Sequence, residues 1–151
     1  MLELVSGDMF AASVDALVNP VNTAGVMGKG LALQFKRSYP ENYRRYRQAC
    51  RAGELTVGKV LTFDIGADLR PRYVINVPTK EHWQSPSTLA IVEAGLTGLV
   101  AEVRRLGLGS LAVPPLGCGL GGLAWADVLP RISAAFAALA DVRVLVFAPQ
   151  P

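Results

Sequence analysis

Residues that bind metals or form disulfides are scarce in this sequence of 151 residues. It has two cysteines, Cys50 and Cys118, which lie far apart, and a single histidine, His82. Zinc sites need several cysteine or histidine ligands at short spacings, and neither cysteine has such a neighbour. We therefore predict that the protein binds no metal ion and uses no cofactor.

Long apolar runs and targeting signals are also missing. The longest apolar stretches, such as Leu108–Leu116, are interrupted by glycine and proline and fall short of the ~18 residues that cross a bilayer. The start, Met1–Leu4, has neither the basic nor the apolar segment of a secretion signal. We therefore predict a cytoplasmic protein with no membrane partner. The length and the 51% hydrophobic content are typical of one soluble domain over residues 1–151.

The charge is mildly positive, with a formal net charge of +3. The excess comes mainly from arginine, clustered at Arg44, Arg45, Arg47 and Arg51 and again at 70–72. Such residues are solvated charges on helices and loops, or part of them faces a phosphodiester backbone. The sequence leaves both interpretations open and permits an anionic ligand.

Short β-rich runs alternate with longer helical runs, which predicts a layered α/β fold in the order ββααββαβαβ. A proline after Asn19 predicts the end of the second strand, Ser85 or Ser87 is expected to cap the third helix, and Gly107 to end it. The predicted strands are Leu2–Val5, Ala16–Asn19, Lys59–Asp64, Tyr73–Val77, Leu111–Val113 and Val142–Phe147, and the predicted helices are Gly30–Arg37, Pro40–Ala52, Ser87–Leu106 and Trp125–Leu139.

Two glycine-rich loops, Asn19–Gly30 and Pro114–Gly122, each follow a strand and lead into a helix. Ligands of open α/β sheets bind beyond the carboxyl ends of the strands, where such loops lie. Glycine lets the backbone approach a ligand, and N–H groups at a helix start favour an anion, so the pair predicts a cradle for a diphosphate. The first loop has neither the GxGxxG nor the GxxxxGK[ST] pattern, which argues against hydride transfer and nucleotide hydrolysis.

Three segments in order resemble the signatures of macrodomains: Ser6–Phe10, Ala16–Asn22 and Pro114–Leu123. The resemblance extends from Leu2 to Phe147. It implies a three-layer α/β/α fold with a mixed six-stranded sheet and a cleft for ADP-ribose.

The resemblance also implies roles for single residues. Asp8 would be a buried carboxylate that accepts a hydrogen bond from the adenine amine, beside the backbone N–H of Met9. Phe147 would flank the adenine ring, although it also fits a plain core position. Asn22 would bind the hydroxyls of the distal ribose. The remaining ligand contacts would come from Gly28, Lys29 and Gly30 in the first loop and from Gly117, Cys118, Gly119, Leu120 and Gly121 in the second.

Within macrodomains, Met27–Ala32 and Val77–Lys80, directly after a predicted strand, resemble the terminal ADP-ribose glycohydrolase subgroup. This subgroup includes the DarG antitoxins that oppose DarT, a DNA ADP-ribosyltransferase toxin, and Thr79–Trp83 is similar to DarG in particular. The resemblance implies that Lys80 is catalytic, together with Asn22. A neutral Lys80 would attack the anomeric or ring-opened carbon, whereas a charged Lys80 would stabilise the departing base, and the sequence favours neither.

Three further positions bear on the identity of the substrate. His82 and Trp83 follow Lys80 and are either structural residues or contacts to the nucleobase, with Trp83 as a stacking platform. Gly121 stands where the vertebrate glycohydrolase of the subgroup has an aspartate that acts on carboxylate-linked ADP-ribose. The absence of that aspartate fits a leaving group that is a nucleobase.

The leading hypothesis is therefore an ADP-ribosyl glycohydrolase that removes single ADP-ribose groups from DNA, with ADP-ribosylated single-stranded DNA and a DarT toxin as partners. The alternatives are an enzyme acting on protein-linked ADP-ribose or O-acetyl-ADP-ribose, and an ADP-ribose reader without turnover. Relatives of the DarG type carry further residues after the macrodomain, so the chain is also compatible with being the N-terminal part of a longer protein.

Overall fold

The computed structural model describes residues 1–150. Its order of elements is the predicted ββααββαβαβ, with two short 3₁₀ turns at Met9–Ala11 and Gly119–Gly121. The strands are β1 Leu2–Val5, β2 Ala16–Asn22, β3 Leu61–Asp64, β4 Tyr73–Lys80, β5 Ser110–Val113 and β6 Arg143–Phe147, and the helices are α1 Gly30–Ser38, α2 Pro40–Arg51, α3 Leu89–Leu106 and α4 Trp125–Phe136.

The six strands form one sheet in the order β1-β6-β5-β2-β4-β3. Every neighbouring pair is parallel except β3 and β4, which are antiparallel. This confirms the mixed six-stranded sheet. None of the helices within residues 1–150 is long and apolar enough to cross a membrane.

Helices cover both faces of the sheet. Successive strand residues point to opposite faces, and β2 shows this clearly. Val18 packs with Val92 of α3 and Ile132 of α4, whereas Leu17 packs with Phe35 of α1 on the other face. Each face of the parallel strands is thereby buried, which explains their near-continuous apolar sequences.

Two strands extend beyond their predicted carboxyl ends, and both continue through a proline. β2 runs past Pro20 to Asn22, and β4 runs past Pro78 to Lys80. β2 is paired with β5 only at Ala16 and Leu17, so one edge of β2 is already free of ladder bonds at Pro20. Lys80 is consequently the last residue of β4, and not part of a loop after it.

The start of α3 also differs from the prediction. Its cap is Thr88, whose hydroxyl oxygen accepts a hydrogen bond from the Ile91 N–H at 3.2 Å, and the helix begins at Leu89. Ser85 and Ser87 are not caps, because Ser87 is buried against the second glycine-rich loop. Gly107 ends the helix as predicted, with a φ of 64°.

Three buried asparagines connect the central strands to α2. The Asn76 side-chain oxygen accepts from the amides of Asn19 at 3.0 Å and Asn42 at 3.1 Å. The Asn76 amide donates to the Asn42 oxygen at 2.8 Å and to the Leu61 carbonyl at 3.0 Å. Since β2, β3, β4 and α2 all contribute a partner, this amide triad fixes α2 against the sheet next to the first loop.

We predict that Asn76→Ala lowers the free energy of unfolding by about 3–5 kcal/mol, because it leaves polar groups of Asn19 and Asn42 buried without partners. Urea denaturation of the variant measures this change. Ser133→Ala, at an exposed position of α4, is the control and should stay within about 0.5 kcal/mol of the unmodified protein. A loss below about 1 kcal/mol for Asn76→Ala would show that the triad is not a major stabilising contact.

Candidate functional site

A cavity of about 790 Å³ lies at the carboxyl ends of β2, β4 and β5. Both predicted glycine-rich loops line it, as does the segment that follows β4. The predicted site residues that line it are Asn22, Gly28, Lys29, Gly30, Lys80, Trp83, Gly117, Cys118, Gly119, Leu120 and Gly121.

The two residues predicted to be catalytic, Asn22 and Lys80, are paired in the adjacent strands β2 and β4. In the register of β2 and β4, Val21 pairs with Pro78 and Asn22 pairs with Lys80, so Thr79 is an additional residue in β4. This irregularity has the form of a β-bulge, and bulges redirect side chains at the ends of strands. It brings Asn22 and Lys80 together at the cavity.

The side chain of Asn22 organises the first loop. Its oxygen accepts from the Ala24 N–H at 3.0 Å and the Val26 N–H at 3.3 Å, and its amide donates to the Val26 carbonyl at 2.8 Å. The Tyr46 hydroxyl lies 2.8 Å from the same oxygen. An amide nitrogen has two donors, so one N–H of Asn22 is left for a ligand.

Tyr46 was not singled out from the sequence. It is fully buried in α2, and its hydroxyl also lies 2.7 Å from the Asn22 carbonyl. Burial raises the pKa of the Tyr46 phenol far above its ordinary value, so it remains a neutral hydrogen-bond donor. Tyr46 therefore positions Asn22 from the side of α2.

Lys80 is held by the turn that follows it. Its ammonium nitrogen donates to the Trp83 carbonyl at 3.0 Å. The His82 ring nitrogen Nδ1 accepts from the Gln84 N–H at 3.2 Å, and the His82 carbonyl accepts from the Ser85 N–H. His82 thus helps to form this turn and does not line the cavity, whereas Trp83 does, and the nucleobase contacts of both residues stay predictions.

The second loop is folded tightly against the start of α3. A side chain at Gly117 would meet Leu123 and Val92 at under 3 Å, and its φ of 74° also favours glycine. A Cβ at Gly121 would overlap the Ser87 hydroxyl and lie 3.0 Å from the Ser87 Cβ. Both glycines are thus required by packing, and they let the loop backbone lie directly against Ser87 and Val92.

Ser87 is a lining residue that the sequence did not reveal. Its N–H donates to the Gly121 carbonyl at 3.0 Å, and its hydroxyl is buried without a hydrogen-bond partner within residues 1–150. A buried hydroxyl in a cavity wall normally has a partner. The Ser87 hydroxyl lies instead against Gly121, where a Cβ on that residue would stand.

Exposed apolar side chains surround the cavity. Leu120 is 65% exposed, Trp83 43% and Val26 37%, and all three line it. Leu120 lies next to Gly30, so the second loop approaches the first at this point. Apolar side chains exposed around a concave site are typical of a ligand-binding rim.

The charges in the cavity wall have one sign. Lys29 and Lys80 line it, and no carboxylate is among its lining residues within 1–150. Burial raises the pKa of the Cys118 thiol, which keeps it neutral. The wall therefore favours an anion such as a diphosphate. Residues 1–150 contain no group of three or more side chains that could hold a metal ion.

The three residues predicted to hold adenine lie outside this lining. Asp8 is exposed, which corrects the expectation of a buried carboxylate, because its oxygen accepts from the Phe10 N–H at 2.9 Å and caps a 3₁₀ turn at the surface. Met9 and Phe147 are buried in one cluster with Phe35. Phe147 thus occupies the core position that the sequence allowed, and the adenine contacts of all three stay predictions.

Comparison with known proteins gives consistent results. The Macro domain family model matches residues 18–132. A DNA ADP-ribosyl glycohydrolase of Mycobacterium tuberculosis is 50% identical over 149 residues, which cover 99% of this chain and 42% of that relative. A DNA ADP-ribosyl transferase-DNA ADP-ribosyl glycohydrolase fusion protein of Thermosipho africanus is 39% identical, with 85% of this chain and 37% of the relative covered.

Among solved structures, the macrodomain of Mycobacterium tuberculosis DarG superposes with a TM-score of 0.97, at 50% identity and with 99% of both chains covered. The chain spans less than half the length of these two curated relatives, so the likeness to them concerns this one domain. The fold, the two glycine-rich loops and the family model agree, and the chain belongs to the Macro domain family.

Proposed function

We propose that this chain is an ADP-ribosyl glycohydrolase that removes single ADP-ribose groups from DNA nucleobases. The observation that carries the proposal is the pairing of Asn22 with Lys80 at the end of a cavity whose wall, as far as residues 1–150 form it, is cationic and free of carboxylates. The names of the relatives at 50% and 39% identity support the same reaction.

The two glycine-rich loops would hold the diphosphate of ADP-ribose. Gly28, Gly30, Gly117, Gly119 and Gly121 line the cavity, and backbone N–H groups in such turns bind anions. Lys29 would add charge, with Cys118 and Leu120 in contact with the same ligand. Asp8, Met9 and Phe147 would hold the adenine at the neighbouring ends of β1 and β6.

Lys80 would carry the chemistry because the usual alternative is missing. Most glycoside hydrolases place two carboxylates about the scissile bond, and residues 1–150 contribute none to this cavity wall. A neutral Lys80 would form a bond to the anomeric or ring-opened carbon while the bond to the base breaks, and water would then release the ADP-ribose. A charged Lys80 would stabilise the departing base while water adds to the anomeric carbon. In both cases its amine must leave the Trp83 carbonyl and turn to the substrate.

Asn22 would orient the distal ribose with its remaining amide N–H. Because its other polar groups hold the first loop, ribose binding and loop geometry depend on the same side chain. Tyr46 would act through Asn22 as a positioning residue.

The second loop bears on which linkage of ADP-ribose the cavity would hydrolyse. An acidic side chain at position 121 has no room, because Ser87 occupies the place of its Cβ. A mechanism that needs a carboxylate there, as for carboxylate-linked ADP-ribose, is therefore not supported. Trp83, on the rim beside Lys80, would offer a stacking surface to a nucleobase.

We further propose that the chain acts in the cytoplasm as the antitoxin to a DarT-type toxin. The relative in which transferase and glycohydrolase are fused supports this pairing. The substrate would be ADP-ribosylated single-stranded DNA, since a base must leave the helical stack to enter such a cavity.

We predict that Lys80→Ala lowers kcat on an ADP-ribosylated single-stranded oligonucleotide by about 10²–10⁴-fold, because the group that assists departure of the base is lost. Its affinity for free ADP-ribose, measured by calorimetry, should stay close to that of the unmodified protein. Lys59→Ala, at an exposed lysine outside the cavity, is the matched control and should keep full activity.

Other outcomes would separate the alternatives. Binding of ADP-ribose without turnover by the unmodified protein would identify a reader. Turnover of ADP-ribosylated protein but not DNA would identify a different linkage. Full activity of Lys80→Ala would remove Lys80 from the mechanism.

We predict that Gly121→Ala weakens ADP-ribose binding at least tenfold, because the new methyl group overlaps Ser87 and displaces the second loop. Ser87→Gly removes the obstructing atoms, so the double variant Gly121→Ala/Ser87→Gly should bind more tightly than Gly121→Ala alone. Calorimetric Kd values for the four proteins give the coupling between the two positions. Equal losses in the single and the double variant would contradict the proposed contact.

A further inference from the structure

The basic residues of α2 are concentrated on one side of the protein. Tyr43, Arg47 and Arg51 are spaced four residues apart and therefore share a face of the helix. Lys36 of α1 lies beside them, with its ammonium nitrogen 4.5 Å from the centre of the Tyr43 ring. None of these residues is used by the proposed reaction.

Two open grooves follow this face of α2. One, of about 360 Å³, lies between α2 and the first loop and is lined by Lys36, Tyr43, Arg47 and Arg51. The other, of about 630 Å³, continues toward β3 and is lined by Tyr43, Arg47 and Arg51 again, with Arg44 and Arg45. Because they share three residues they form one surface, which we call the arginine track.

The arginine track joins the cavity at its catalytic end. Val26 and Gly28 line both the first groove and the cavity. Val26 is hydrogen-bonded to Asn22, and a Cβ on Gly25 would lie 3.8 Å from the Arg47 side chain. A chain leaving the cavity beside Asn22 would therefore pass directly onto Arg47.

The central charges of the track have no carboxylate partners. The ion pairs within residues 1–150 occupy Arg44 with Glu41 and Arg45 with Glu54, whereas Lys36, Arg47 and Arg51 take part in none. Five basic side chains and only two acidic ones, Glu41 and Asp64, line the two grooves. Unpaired arginines along a groove are the usual means of binding a phosphodiester backbone.

We propose that the arginine track binds the phosphodiester backbone of the single-stranded DNA that flanks the modified nucleotide. This inference rests on the proposed function, since it assigns a surface to the DNA part of the substrate. The single-stranded form fits because Tyr43 lies among the basic residues, and an aromatic ring between cations is typical of single-strand binding. The track thus holds the polymer while the cavity holds the ADP-ribose.

The test uses the double variant Arg47→Ala/Arg51→Ala, which removes two exposed and unpaired charges. Its control is Lys59→Ala/Arg104→Ala, which removes the same charge from exposed positions outside the grooves. Binding of an unmodified, labelled single-stranded oligonucleotide of about twelve nucleotides is followed by fluorescence anisotropy at several salt concentrations. Thermal unfolding confirms that both variants fold.

We expect Arg47→Ala/Arg51→Ala to raise the oligonucleotide Kd about tenfold at low salt. The slope of log Kd against log salt concentration should become shallower by about 1.4, since each lost phosphate contact contributes ~0.7 for single strands. The control should match the unmodified protein in both quantities, and free ADP-ribose should bind all three proteins equally. In turnover, the variant should raise KM for the modified oligonucleotide and leave kcat unchanged.

Two results would overturn the inference. One is that Arg47→Ala/Arg51→Ala and the unmodified protein bind the oligonucleotide equally well. This includes the case in which the variant changes only the binding of a partner protein. The other is an equal loss in the control, which would show that net charge and not the track is responsible. An ADP-ribosylated nucleoside without flanking phosphates keeps the two proposals apart, because its hydrolysis tests the reaction whether or not the track binds DNA.

Discussion

The pairing of β2 with β4 in the middle of the sheet is the contact on which the site depends. Its register places Asn22 opposite Lys80, and the additional residue Thr79 sets how the two strand ends meet. The amide triad fixes the same two strands to α2, and the Tyr46 hydroxyl of that helix donates to the Asn22 side-chain oxygen. A shift of one residue in this pairing would separate Asn22 from Lys80 and exchange the side chains that β2 presents to the two helical layers.

The charge of the cavity decides what chemistry it can support. A wall to which the described part of the chain contributes lysines and no carboxylate stabilises negative charge on a diphosphate. Among residues 1–150 this wall has no acidic group to protonate a leaving group or to attack the anomeric carbon, so in the proposed reaction these roles would fall to Lys80 or to the substrate itself. A nucleobase is a leaving group that can depart as an anion or accept a proton from an ammonium, which makes DNA a chemically suitable substrate.

Much of this arrangement could be predicted from local sequence. Glycine-rich loops after apolar strands indicated the cavity, and the segment Thr79–Trp83 indicated Lys80 by resemblance. The lengths of β2 and β4 were predicted too short, because Pro20 and Pro78 are unfavourable in an isolated strand and only the free edge of β2 shows why Pro20 is tolerated. Ser87, Tyr46 and the amide triad gave no local signal, since each acquires its role from residues distant in sequence. The resemblance implies what Asp8 binds but not how exposed its side chain is, and the expectation of a buried carboxylate was therefore wrong.

The close contact between Ser87 and Gly121 restricts how this protein can diverge. Position 121 can accept a side chain only after position 87 has become smaller, so substitutions at the two positions would have to occur in that order or together. In a collection of related sequences the two positions should therefore covary, with serine at 87 accompanied by glycine at 121. The evolutionary route between a cavity of this kind and one with an acidic second loop would pass through the start of α3, a segment that takes no part in the chemistry.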